Sequence, residues 1–272
     1  MNNETEKDFN LGGSIDTALS GQYQLSITSV FKEAWDCTIK HFLSFSPAII
    51  LLAILQLAIF FLALHFQVSN VTEIFENFAK NGKLPEGFMR SLYIANFSYE
   101  VISAPFYAGV SLMAMSHAVG LKTTTKQIGS GLQYTIPVII VTLVSLVLQG
   151  IANLLVPVIS LYLSLAFTNA GLLVCEKRIR PFNALWISLR AANRKLLQLA
   201  VIYAVIMGLF LAALMFYGIG LVLVLPFFFH VKGIIYRNMF GVRLKIVATP
   251  HDDSNDSGGE NDQDKPSQIF NA

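Results

Sequence analysis

The chain has 272 residues, of which 54% are hydrophobic and only 13% charged, and its formal net charge is +2. A soluble domain is roughly half apolar and a quarter charged, so this balance excludes an ordinary water-facing surface and calls for lipid. The small net charge and the lack of a long basic patch argue against a nucleic-acid partner.

Residues 1–26 are polar and mixed in charge and are expected to be disordered. The first long apolar run begins only near Phe45, so no cleavable signal peptide is expected and the first membrane helix stays in the mature protein. In 27–43, Ile27, Phe31, Ala34, Trp35, Thr38 and Phe42 recur at helical spacing, with Lys32, Glu33, Asp36 and Lys40 opposite. This pattern predicts an amphipathic interfacial helix with its tryptophan at headgroup level.

Residues 45–66 read FSPAIILLAILQLAIFFLALHF with no formal charge, enough to cross a hydrocarbon core of roughly 30 Å. Comparable runs follow at 101–120, 135–155, 158–175, 197–217 and 220–236, giving six spans. Between the first two, residues 67–92 form an external segment whose Val71, Ile74, Phe75 and Phe78 suggest a short surface helix. Val156 and Pro157 mark a tight reversal between the third and fourth spans, as Gly218 and Gly220 do between the fifth and sixth. Phe182, Leu185, Trp186, Leu189 and Leu196 form a second amphipathic stretch, with Pro181 placed for its first turn. The shared Phe-x-x-x-Trp of Phe31–Trp35 and Phe182–Trp186 suggests a repeat of one amphipathic helix followed by one hairpin, starting near 27, 122 and 181. The middle copy, KTTTKQIGSGLQYTIP, is short and glycine-bearing. After Pro250 an acidic tail, 250–272, has nothing apolar to bury and is expected to be disordered. The expected divisions are therefore 1–26, a six-span domain over 27–249, and 250–272.

Of the nineteen lysines and arginines, only Lys80, Lys83 and Arg90 fall between spans one and two. The positive-inside bias then places both termini in the cytoplasm. Cys37 and Cys175 are the two cysteines; both fall near that reducing face and are expected to be free thiols.

Small residues at every fourth position in span five, Ala200, Ala204, Gly208 and Ala212, and at every third or fourth in span two, Ala104, Ala108, Ser111, Ala114 and Ala118, read as close-packing faces. Span three carries Thr142, Ser145, Gln149 and Asn153 on one face, and span four offers Ser164, Thr168 and Gly171. These faces suit either interhelical hydrogen bonds or a wetted cavity. Glu100, His230 and Lys232 are ionisable at or near membrane depth, where charge is costly. Glu100 lies at a boundary and Lys232 can snorkel, whereas His230 lies deeper and suits either a neutral bonded imidazole or a proton relay. The candidate cavity-lining set is Gln149, Asn153, Thr168, His230 and Lys232. No catalytic motif, cofactor-binding loop or metal-ligand spacing is found, and aspartate is absent from all six spans.

The Val156-Pro157 turn, the Pro181-x-x-Ala184-x-x-x-Ser188 helix, Pro226 and Tyr236-Arg237 resemble the YciC-like group of uncharacterised bacterial inner-membrane proteins and, more loosely, the membrane domains of some glycerophosphodiester phosphodiesterases. The resemblance implies a fold and a bacterial inner-membrane location; it implies no activity, and no phosphodiesterase domain is present. The resulting expectation is an all-α polytopic bundle of about six transmembrane helices with cytoplasmic amphipathic helices. It would act without enzymatic chemistry as a structural or accessory envelope protein. Its partners would be the lipid bilayer and a protein at the amphipathic helices. The rivals are a small-molecule or lipid transporter or channel and a membrane-bound enzyme.

Overall fold

Long apolar stretches without helix-breaking pairs fold as helices because in lipid each backbone N–H must be satisfied within its own segment. The computed structural model describes residues 7–68, 71–82 and 87–246, so the acidic tail lies outside the described residues. In chain order the elements are β1 (Lys7–Leu11), α1 (Ile15–Ser20), α2 (Ile27–His65), α3 (Val71–Asn81), α4 (Phe88–Ala118), a 3-10 helix (Thr125–Tyr134), α5 (Thr135–Leu155), α6 (Pro157–Phe167), α7 (Ala170–Lys177), α8 (Pro181–Arg194), α9 (Leu196–Met215), α10 (Leu221–Phe240) and β2 (Val242–Ile246). Among the described residues six helical segments are long and apolar enough to cross a bilayer: α2, α4, the 3-10 helix with α5, α6 with α7, α9 and α10. The protein is an all-α, multi-pass membrane protein.

The boundaries differ from the sequence reading in three places. The amphipathic stretch 27–43 and the first span are one helix, α2, which at 1.5 Å per residue is ~58 Å long, well beyond one bilayer core. Span two begins earlier than expected, at Phe88, because nothing in 88–100 breaks a helix. Span four is interrupted between α6 and α7 at Thr168 and Asn169.

The segment expected to be disordered before residue 27 is folded from Lys7 onward. β1 pairs antiparallel with β2, from Lys7 opposite Ile246 to Leu11 opposite Val242, so the chain after the last span holds the chain before the first. α1 is closed by a Ser14–Thr17 capping box, Tyr23 and Leu25 are buried, and the Tyr23 hydroxyl donates to the Ala191 carbonyl at 2.9 Å. These contacts supply burial that polar composition alone does not reveal.

α2, α4 and α10 pack mutually at the heart of the bundle, with Phe45, Val110, Met113, Ala114 and Phe229 buried between them. Gly233 of α10 lies so close to α4 that an added Cβ would sit 2.8 Å from the Ala114 carbonyl carbon. The 3-10 helix returns along α4, and methyl groups added at Gly109 or Gly131 would overlap the carbonyls of Ile128 and Pro105. Arg237 fastens three elements: its guanidinium forks onto Glu33 of α2, donates to the Ala118 carbonyl at 2.6 Å, and bonds Asn238.

Candidate functional site

Two polar constellations lie inside this apolar frame. The first is a cavity of about 710 Å³, partly open to the outside of the bundle, walled by α4, α5, α6, α7, α9 and α10, with Gln56 of α2 at its margin. Its volume falls within the roughly 300–1,000 Å³ usual for small-molecule sites. On α4 the lining residues run from Tyr99 and Glu100 to Ser111, a distance of about 16 Å between Glu100 and Ser111 at 1.5 Å per residue.

Lys232 reaches this cavity from α10 and is only 6% exposed. Its Nζ donates to Ser111 Oγ at 3.4 Å and lies 4.3 Å from the centre of the Tyr107 ring. Ser111 uses its single proton on the Tyr107 carbonyl at 2.9 Å, so towards the lysine it acts only as an acceptor. Among the described residues no carboxylate lies within 4.0 Å of Nζ. Tyr203 lines the same cavity, with its buried hydroxyl beside Thr168 but outside normal hydrogen-bond geometry among the described residues. The break between α6 and α7 opens onto this wall: Thr168 and Gly171 line it, and Thr168 Oγ1 is turned back onto the Ser164 carbonyl at 3.0 Å. Towards the Glu100 end, Asn96 donates to Glu100 at 2.8 Å and Gln56 donates to Ser103 at 3.2 Å.

The structure thus brings Gln149, Thr168 and Lys232 together on one cavity. Asn153 is exposed near the end of α5 and is not among the lining residues. His230 belongs to the second constellation. Thr38 Oγ1 donates to the Ala34 carbonyl at 2.7 Å and therefore accepts from His230 Nδ1 at 3.0 Å. His230 Nε2 is then left to accept from His117 Nδ1 at 3.0 Å, and His117 Nε2 accepts from the Thr123 hydroxyl at 2.7 Å. One assignment of protons satisfies every member with both imidazoles neutral. His41 stacks on His117, with ring centroids 4.0 Å apart and planes within 6°. Stacked rings direct their nitrogen lone pairs in parallel planes, so the histidines do not converge on a point, and no metal-holding group occurs among the described residues. The chain ends on a backbone carbonyl. It joins α2, α4, α10 and the loop at Thr123.

The sequence reading missed Tyr107 and Tyr203 on the cavity and His41 and His117 in the network. A signal for the cavity was present in the small-residue stripes. Ala104, Ala108 and Ser111 of α4 line the cavity together with Ala200 and Ala204 of α9, and a Cβ at Gly208 would meet nothing within 4 Å. The α9 stripe expected to be a packing face therefore borders open space at Ala200, Ala204 and Gly208.

Comparison with known proteins gives no match to any protein-family model, curated protein or solved structure.

Proposed function

We propose that this chain is a bacterial inner-membrane protein with cytoplasmic termini that binds a small amphiphilic molecule in its intramembrane cavity, as a carrier does. The cavity carries this reading: its lining surface is mostly apolar, and among its polar side chains is a cation without a carboxylate partner among the described residues. A purely structural bundle has no use for such a lysine, because charge at membrane depth is costly. The positive-inside bias supports the orientation.

The kinship to the YciC-like group is part of the proposal. Its supporting residues sit at the joints of the fold: Pro157 and Pro181 open α6 and α8, Ser188 donates to the Ala166 carbonyl at 2.6 Å, and Tyr236 donates to Glu176 at 2.8 Å.

The test is mass spectrometry of small molecules retained by protein purified in mild detergent, comparing the wild type with Ala204→Trp, which fills the cavity from α9. A compound retained by the wild type and lost from the variant supports binding, and identical inventories contradict it. The accessory role is a second reading, favoured by the exposure of Trp35, Phe182 and Trp186 on the amphipathic helices, a surface suited to headgroups or a partner protein.

A further inference from the structure

The cavity's charge layout narrows the ligand class, on the reading that the cavity binds a ligand at all. We infer that the site takes a single-chain amphiphile with one anionic head, a carboxylate or a phosphate, seated at Lys232 with its apolar body along Val138, Val141, Leu165, Ile206 and Phe228.

Three observations carry the inference. A lysine ammonium has three protons to donate, and Ser111 accepts one; the Tyr107 ring face offers a cation–π contact but no lone pair. An anionic head would take up the remaining donors and compensate a charge that is 6% exposed. Tyr203 lines the same space beside Thr168, and its buried hydroxyl is a further donor of the kind that binds carboxylate or phosphate oxygens. At the other end of the α4 wall stands Glu100, about 16 Å away along the helix. A second negative charge on the ligand would meet that carboxylate, so the chemistry selects a molecule with one anionic end and an apolar remainder.

The test uses the full-length protein in phosphatidylcholine nanodiscs, with dansyl-undecanoic acid as the probe and its primary amide as the uncharged control. The wild type is expected to bind the acid saturably and at least tenfold more tightly than the amide. Lys232→Met, which keeps the apolar stem, should lower acid affinity at least tenfold and leave the amide unchanged, while Lys232→Arg should retain preference for the acid. Dodecyl phosphate and laurate serve as competitors that distinguish a phosphate from a carboxylate head, and inorganic phosphate tests the head without a tail. Equal affinity for acid and amide, with no change in Lys232→Met, overturns the anionic head while leaving the cavity reading intact. Displacement by inorganic phosphate as potent as by dodecyl phosphate overturns the requirement for a tail. Acid binding that survives Ala204→Trp contradicts the cavity reading itself, and absence of saturable binding of either probe overturns the inference. Should Lys232→Met fail to fold, the acid-to-amide ratio in the wild type still decides.

Discussion

Replacing His230 with Phe keeps the ring volume at a fully buried position and removes two hydrogen bonds, one to Thr38 and one to His117. Thr38 retains its bond to the Ala34 carbonyl, so little is lost there. His117 loses its acceptor. It can hold its proton on Nδ1, leaving a buried donor unpaired, or move it to Nε2 and turn the Thr123 bond around, leaving Nδ1 an orphaned acceptor. Either choice costs about 1–3 kcal/mol, and the lost net hydrogen bonding adds about 1 kcal/mol, so His230→Phe should destabilise by about 2–4 kcal/mol. Double-mutant cycles within membranes give smaller couplings, averaging ~0.6 kcal/mol, when the unfolded chain finds other partners. The lower end of the range is thus the firmer expectation. The assay is SDS-titrated unfolding in mixed micelles of His230→Phe, His117→Phe and the double variant. Because the double variant leaves no orphaned imidazole, it should be less destabilised than the sum of the two single variants by at least ~1 kcal/mol. Additive effects, or single variants within ~0.5 kcal/mol of the wild type, would refute the one-directional chain.

Gly131→Val should abolish recovery of monodisperse protein because the added side chain overlaps the Pro105 carbonyl, whereas Gly208→Ala, in open space, should leave the melting temperature unchanged; size-exclusion chromatography and thermal scans read both. Arg237→Met breaks the fork onto Glu33 and frees the Ala118 carbonyl. With Glu33 35% exposed, the loss is expected to be about 2–3 kcal/mol, below the full cost of splitting a buried pair, and Glu33→Gln should cost less. Burial pushes the Tyr23 phenol up to about 12, so its contribution is fully present below an unfolded pKa near 10 and is lost as pH rises through the folded value. Alkaline titration followed by phenolate absorbance should show this step in the wild type and lose it in Tyr23→Phe.

The spans were legible because apolar runs free of charge carry a signal that tertiary packing does not overrule, and the Val156-Pro157 reversal appears where proline cannot continue α5. What escaped the sequence depends on neighbours. Polar residues before 27 fold because β2 comes from the far end of the chain to pair with β1. The glycines of KTTTKQIGSGLQYTIP look like weak points of a helix, yet Gly131 is where that segment touches α4. Gln149, Thr168 and Lys232 could be picked out as polar residues within apolar helices, but Tyr107 and Tyr203 could not, since interfacial and core aromatics look alike along the chain. His230 was singled out by depth alone; its partners lie 192 and 113 residues away in sequence, at Thr38 and His117.

Whether the cavity holds a ligand is decided by a structure in lipid nanodiscs at a resolution that shows bound lipid and water among α4, α5, α7, α9 and α10. Elongated non-protein density is expected in the cavity, with its polar end within hydrogen-bond reach of Lys232 and Tyr203. A bundle in which α9 closes against α4 and α5, with Lys232 paired to a protein carboxylate and no space left between the helices, would contradict it.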